Sequence, residues 1–387
     1  MPTKVAPDSA APTGAAPPRR ARLNSLTGLR YFGALAVVLV HVGSQFADSR
    51  SLTVATGYGY VGVTFFFLLS GYVLTWSYSS QPLTRFWWLR FSRIWPLNTA
   101  LMIAWFTIVV EEVKVPDSFE QTAVLLMAQA WDPHQSIYFV GNFVSWSLSC
   151  EMFFYLLFPC AVLLVRRLGP RGVLVTAAAT MAAQLLTPLL MDGVVTSEQW
   201  HYLFYIFPPY RFGEFLLGML AARATTLGLR IRTPGWTWGA AALGLLALTA
   251  GFTRFTLHTG EPVNRPLVAF LAIPFLVVLL LSSTATELRS GESWFGKRPL
   301  VRLGEWSFAL YLVHEPLFQV TQRWGWWDDN VGGIAGAVGL VGFLVIATLL
   351  AAALHYVIER PAERLLRRVA SMFPQRPALG AVAGSRP

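Results

Sequence analysis

Residues 266–283 read Pro266-Leu-Val-Ala-Phe-Leu-Ala-Ile-Pro-Phe-Leu-Val-Val-Leu-Leu-Leu-Ser-Ser283, a run with no charged residue. Wound as an α-helix it is about 27 Å long, close to the thickness of a bilayer's hydrocarbon core. A helix apolar on every face needs apolar surroundings on every face, so this run predicts a membrane span. Working outward, apolar blocks of spanning length recur near 28–46, 60–79, 96–112, 145–165, 172–191, 201–222, 236–252, 304–324 and 333–356. The stretch 121–131 is apolar but too short to cross, and reads as a re-entrant or interfacial piece. The fold expected is therefore all-α: a polytopic integral membrane protein with about ten transmembrane helices.

Composition agrees. The chain is 55% hydrophobic and only 13% charged, where a soluble domain carries about 25% charged residues. A formal net charge of +10 would suit nucleic acid, but the positive residues flank apolar blocks and form no separate basic domain. The lipid bilayer is the expected partner, and nucleic acid is not. With a cytoplasmic N-terminus, 23 Lys/Arg fall on the inside and four (Arg50, Lys114, Arg254 and Arg265) on the outside. That asymmetry predicts cytoplasmic termini and a multi-pass protein of the cell membrane, here a bacterial inner membrane. Counting 121–131 as a span would invert everything after it and destroy the asymmetry.

Residues 1–22 and 370–387 are expected as disordered cytoplasmic tails, the first basic, around one membrane domain at 23–369. No internal repeat marks the chain as a secondary transporter. Arginine outnumbers lysine 27 to 3, the coding bias of a GC-rich genome. Cys150 and Cys160 share one predicted helix about 15 Å apart, too far for a disulfide. Neither joins a cluster with metal-ligand spacing, so no metal site is expected.

Charged and polar groups inside spans cost several kcal/mol and need a reason. Arg30 and His41 lie eleven residues apart on the first span, on one face and about 16 Å apart in depth. Glu151, in Trp146-Ser-Leu-Ser-Cys-Glu151, is placed by counting from the outer end of its helix at nearly the depth of His41. An imidazole and a carboxylate at matching depth form a base–orienter pair for acid–base catalysis, a structural pair, or a proton relay. Arg90 and Arg93, at i,i+3 spacing, join Arg30 at the predicted cytoplasmic face as either a phosphate clamp or a lipid-headgroup anchor. Arg211 and Glu214 suit a self-neutralising pair. His314 and Glu315, and Glu359 with Arg360, are similar buried candidates.

Taken together these motifs resemble the acyltransferase-3 family of membrane-bound O-acyltransferases, from Leu26 to about Leu366 and in the expected order. Arg30-x10-His41, Gly62-Val-Thr-Phe-Phe-Phe-Leu-Leu-Ser70-Gly-Tyr72, Arg90-x-x-Arg93 and Trp146-Ser-Leu-Ser149-x-Glu151 carry the resemblance in the first half. Arg211-Phe-Gly-Glu214, Gly304-Glu-Trp-Ser-Phe-Ala-Leu-Tyr-Leu-Val-His314 and Ile358-Glu359-Arg360-Pro361 carry it in the second. Tyr72, Glu305 and Phe308 depart from the family pattern, and the last puts any hydroxyl role at that position in doubt. The resemblance implies transfer of an acyl group from acyl-CoA, a substrate and not a resident cofactor, to a hydroxyl of a sugar, glycan or glycosylated metabolite such as a macrolide. It implies His41 as general base oriented by Glu151, and Arg30, Arg90 and Arg93 as holders of the CoA phosphates. Ser70 and Ser149 are candidate oxyanion donors; Arg211, Glu214, His314 and Glu359 support the site. O-acylation of a cell-envelope polysaccharide is the alternative acceptor reading. A proton-coupled transporter using His41 and Glu151, or a scaffold, are the rival classes.

The orientation has a direct test. In a chain stripped of Cys150 and Cys160, cysteines at Ser80 and Ser290 should resist an impermeant thiol reagent in intact cells and label after lysis. Cysteines at Gln135 and Thr259 should label in intact cells; the opposite pattern would reverse the topology.

Overall fold

The computed structural model describes residues 22–46, 50–79, 81–108, 118–228, 236–260, 264–326, 333–370 and 372. The expected tails 1–22 and 370–387, and Lys114, lie outside this set apart from Arg22, Ala370 and Met372. The described residues are helical, with no strand among them.

In chain order the helices are α1 (Asn24–Val42), α2 (Arg50–Gly57), α3 (Val61–Trp76), α4 (Leu83–Ile108), α5 (Ser118–Leu125), α6 (Gln135–Tyr138) and α7 (Trp146–Arg167). They continue with α8 (Pro170–Met191), α9 (Ser197–His201), α10 (Pro208–Thr226), α11 (Thr237–Thr259) and α12 (Arg265–Ser290). Last come α13 (Arg298–Arg323), α14 (Gly333–Leu354) and α15 (Arg360–Ala370). Local chemistry sets many of these ends. Proline occupies the first turn of α8, α10, α12 and α13, where its missing N–H has no partner to lose. Gly291 stops α12 at φ 72°, a left-handed conformation open to glycine at no steric cost.

Seven segments are long and apolar enough to cross a membrane: α1, α2 through α3, α7, α8, α11, α12, and α14 through α15. The other three expected spans fold as the long helices α4, α10 and α13. These are the helices that carry Arg90 and Arg93, Arg211 and Glu214, and His314 with Glu315, and the charge lowers their apolarity. The expected span 96–112 also runs beyond Ile108, past the described residues. The stretch 121–131 holds only the eight-residue α5 and a short 3-10 turn at Gln129–Trp131, too short to cross.

Helices α1, α3, α7 and α12 bury half or more of their apolar windows, whereas α8, α11 and the α14 segment bury about a sixth. The first group forms the centre with α10 and α13; the second has its apolar faces outward. Small residues let the central helices touch. Gly71 of α3 lies against the Phe215 carbonyl of α10, and Gly218 of α10 lies against the Leu68 carbonyl of α3. Gly304 of α13 meets the Thr27 carbonyl of α1, Gly62 of α3 lies against the Gly33 carbonyl of α1, and Gly33 itself makes room for the Phe65 ring of α3. In lipid, where apolar burial gives no net drive between helices, such backbone approach supplies the packing energy. Helix α1 is thereby clamped between α3 and α13.

The clamp predicts a sharp contrast between glycines. Gly218→Val must displace the Leu68 backbone and should lower stability by about 1–3 kcal/mol, the order for overpacking. Gly342→Ala, where an added methyl meets nothing, should leave thermal unfolding in detergent unchanged or slightly improved. Equal unfolding temperatures for the two variants would refute the clamp.

Candidate active site

The clamped helix α1 carries a site at each end. Near its start, Arg30 is half-buried and within electrostatic reach of Arg93, Glu359, Glu151 and Tyr155. Arg93 interacts in turn with Glu363, Glu359, Tyr155 and Glu151, and Arg90 with Tyr155, Arg93, Arg367 and Glu363. The three arginines singled out in the sequence therefore do come together. Two tryptophans of α4 fix the arrangement: Trp87 Nε1 donates to the Tyr155 carbonyl of α7 at 3.1 Å, and Trp88 Nε1 donates to the Leu366 carbonyl of α15 at 2.7 Å. Arg90 Nε is buried and has no hydrogen-bond partner among the described residues. A donor in that state, beside two more guanidinium groups, suits an anionic ligand.

Glu151 belongs to this cluster. Its carboxylate accepts from Ser70 Oγ at 2.9 Å and from Tyr155 OH at 2.7 Å. Glu359 is held from its own helix, where His355 Nδ1 lies 2.9 Å from its Oε2 across a π-helical turn at His355–Glu359. Sequence reasoning passed over Tyr155 and His355. Their signal was the i+4 spacing that places each one helical turn from its glutamate.

At the other end of α1 stands His41, and its hydrogen-bonded partner is His314 and not Glu151. His41 Nδ1 lies 3.1 Å from His314 Nε2 and 2.9 Å from the Val37 carbonyl. The expected His41–Glu151 pair is thus replaced by a histidine pair. Matching depth leaves the azimuth of each helix open, and here α13 brings His314 to the ring. Residues 129–145 fold over the head of α7, with Gln129, Ala130, Asn142 and Ser145 all buried. The same cover binds α13: Asn142 Nδ2 donates to the Leu312 carbonyl, and Tyr311 OH contacts Ser147 Oγ at 2.7 Å and donates to the Val144 carbonyl at 3.0 Å.

The hydrogen bonds select one tautomer for each neutral ring. His314 Nδ1 lies 3.1 Å from the Leu310 carbonyl, an acceptor, so Nδ1 carries the proton and Nε2 the lone pair. His41 Nδ1 faces that lone pair and the Val37 carbonyl, two acceptors, so it also carries its proton. His41 Nε2 is then left with a free lone pair, on a half-buried ring backed by a fully buried one. A group arranged in this way can accept a proton from a bound hydroxyl.

The remaining candidates hold the scaffold. Arg211 Nη1 and Glu214 Oε1 pair at 2.8 Å with both side chains about 1–2% exposed, and Thr64 Oγ1 donates to the same glutamate oxygen at 3.2 Å. The Arg211 guanidinium also lies over the rings of Phe67 and Tyr205. Ser149 Oγ accepts from the Ala130 N–H at 3.3 Å, which engages it in holding the cover over α7. Ser70 Oγ is committed to Glu151.

Three comparisons bear on what such a site does. A family model described as an acyltransferase domain matches residues 23–357. Acyltransferase MdmB of Streptomyces mycarofaciens is 36% identical over 380 residues, 91% of this chain and 94% of that protein. O-acetyltransferase OatA of Staphylococcus aureus is 22% identical, over 76% of this chain and 50% of that protein. Peptidoglycan O-acetyltransferase OatA of Listeria monocytogenes is 24% identical, over 77% of this chain and 49% of that protein. The chain thus spans about half the length of the two OatA proteins. No solved structure matches it.

Proposed function

The chain belongs to this acyltransferase family and is a multi-pass membrane acyltransferase, and we propose that it moves an acyl group from acyl-CoA to a sugar hydroxyl of a glycosylated metabolite. One observation carries the reading. Arg30 and His41 stand on a single unbroken helix, with the arginine cluster around the first and the histidine pair around the second, about 16 Å along the axis. A donor with phosphates at one end, a thioester at the other and a thin arm between fits that separation.

In this reading Arg30, Arg90 and Arg93 bind the CoA phosphates, and Glu151, Glu359 and Glu363 keep the guanidinium groups from repelling one another when the donor is absent. The arm lies along α1 and brings the thioester carbonyl to His41. His41 Nε2 takes the proton of the acceptor hydroxyl as its oxygen attacks that carbonyl. The tetrahedral intermediate collapses with cleavage of the C–S bond. The thiolate takes the proton back from His41, leaving an ester, free CoA–SH and a neutral imidazole. His314 positions the ring throughout, because its Nε2 holds the His41 Nδ1 proton.

Ten spans with cytoplasmic termini would set the arginine cluster on the side where acyl-CoA is found, in the cell membrane of a bacterium. For the acceptor, a glycosylated metabolite is the first reading; the OatA relatives, one of them named for peptidoglycan, support a cell-envelope glycan as the second reading.

His41→Ala should insert and fold normally yet lose at least about 100-fold in turnover, the lower end for removal of a general base. Arg90→Ala and Arg93→Ala should raise KM for acetyl-CoA and leave KM for the acceptor nearly unchanged. Lysine at either position should rescue in part, since it keeps the charge and loses the fork. The measurement is CoA thiol release by purified protein with acetyl-CoA and a macrolide carrying free sugar hydroxyls. A near-normal His41→Ala rate would sink the base assignment, and equal effects on both KM values would sink the phosphate clamp.

A further inference from the structure

Beside the histidine pair lies a carboxylate with no task in the mechanism above. Glu315 follows His314 directly in α13 and is 5% exposed. One of its oxygens lies within 4.8 Å of a ring nitrogen of both His41 and His314. Its two oxygens differ. Oε1 accepts from Gln319 Nε2 at 3.0 Å, and Gln319 Oε1 accepts from Trp105 Nε1 at 2.8 Å. An indole N–H only donates, so Trp105 fixes the Gln319 amide with its NH2 turned to the glutamate. Oε2 is buried with no hydrogen-bond partner, and Glu315 makes no ion pair among the described residues.

That state is costly. A buried carboxylate oxygen without a donor forfeits its hydration with nothing in return. Glu214 also leaves its Oε2 without a donor, but its Oε1 is matched by the Arg211 guanidinium at 2.8 Å. The Trp105–Gln319 chain instead holds Glu315 in place with no cation on either oxygen among the described residues. Such an arrangement suits a positive charge that is present during only part of the cycle.

We propose that Glu315 is a positioning residue that supplies the negative counter-charge to His41 when the ring takes the acceptor's proton. This rests on the reading of His41 as the base. The neutral pair shares one N–H between the rings; proton uptake at His41 Nε2 leaves that N–H in place and puts a full positive charge beside Glu315. The glutamate exchanges no proton and touches neither substrate. It stabilises the charged intermediate, and its stabilisation ends when the thiolate takes the proton back. The role that the sequence assigned to Glu151 at the depth of His41 is thereby filled from a different helix.

The test uses the full-length protein in detergent or liposomes. Glu315→Gln keeps the volume and the bond from Gln319 and removes the charge. It should unfold at the wild-type temperature and lower kcat roughly 100-fold, the order for loss of an electrostatic stabiliser. KM for acetyl-CoA and for the macrolide acceptor should stay unchanged, and Glu315→Asp should recover part of kcat. In a His41→Ala background, adding Glu315→Gln should change nothing further, because the charge it serves no longer forms. Nitrogen-15 spectra of histidine-labelled protein give a readout that needs no acceptor. Glu315→Gln should move the His41 and His314 ring signals, assigned by His41→Ala, and leave the other four histidines in place.

Three results would overturn the proposal. One is a normal kcat in Glu315→Gln with unmoved histidine signals while His41→Ala is dead. Another is a further, additive loss in the double variant. The third is activity lost to a chelator and restored by zinc, which would make the cluster a metal site and the carboxylate a ligand. An active His41→Ala would instead refute the base reading itself.

Discussion

A charge inside a helical bundle must find its opposite within that bundle, because neither lipid nor packed side chains will solvate it. This constraint organises the structure. Arg30, Arg90 and Arg93 come from two helices and would repel one another alone; Glu151, Glu359 and Glu363 come from three further segments and make their assembly tolerable. Arg211 and Glu214 meet the same demand within one turn of α10. The two solutions differ in how many segments they draw on. The Arg211–Glu214 pair matches its charge within one helix, packed under aromatic rings and held by Thr64, although Arg211 Nε and Glu214 Oε2 have no hydrogen-bond partner among the described residues. The arginine cluster draws on five segments, contains the unpaired Arg90 Nε and has room in its donor inventory for an anion.

Rigidity follows from the glycines. Contacts of Gly33, Gly62 and Gly304 fix α1 between its neighbours, so the two ends of that helix keep a constant separation. A flexible linkage between an anchoring site and a reacting site would have to be ordered at each turnover. A helix clamped on both flanks has met that cost in folding, which is the advantage of pre-organisation. The cover formed by residues 129–145 adds to it. Through Asn142, Val144 and Ser147 it ties α13 to the head of α7, so the ring of His314 is located by three segments before any substrate arrives.

Much of this was legible in the sequence. Apolar run length gave the helical membrane class, and the i,i+3 spacings of Arg90 with Arg93 and of Arg211 with Glu214 foretold which guanidinium groups would share a face. Arg30 and His41 at one face of one helix needed only the helical rise. Partners across helices were not legible. Periodicity says nothing of the azimuth of one helix relative to another, and a depth counted from the end of a hydrophobic run assumes that the run starts at the membrane surface. The buried polar residues Gln129, Asn142 and Ser145 form the head of the site within protein, a placement that run length does not reveal. His314 stood out as a motif residue, yet nothing in linear order joined it to His41. Three of the expected spans, on α4, α10 and α13, are not among the seven most apolar segments for a related reason: the helices that bring charge to the site are the ones whose apolar signal that charge dilutes.

The two carboxylates illustrate how environment, and not residue type, assigns a role. Glu151 and Glu315 are both glutamates near a helix start or centre, and either fits a base–orienter pattern when only spacing is known. Glu151 accepts from a serine and a tyrosine and faces guanidinium groups, so its charge is matched at rest. A group already matched gains little when another cation forms some distance away. Glu315 accepts one hydrogen bond on one oxygen, leaves the other without a donor and stands beside two imidazoles, so its charge is matched only if a proton arrives there. Electrostatic stabilisation acts on a rate through what changes between ground state and transition state, and a charge already matched at rest contributes little to that difference. On that ground the catalytic counter-charge belongs to the carboxylate left unmatched.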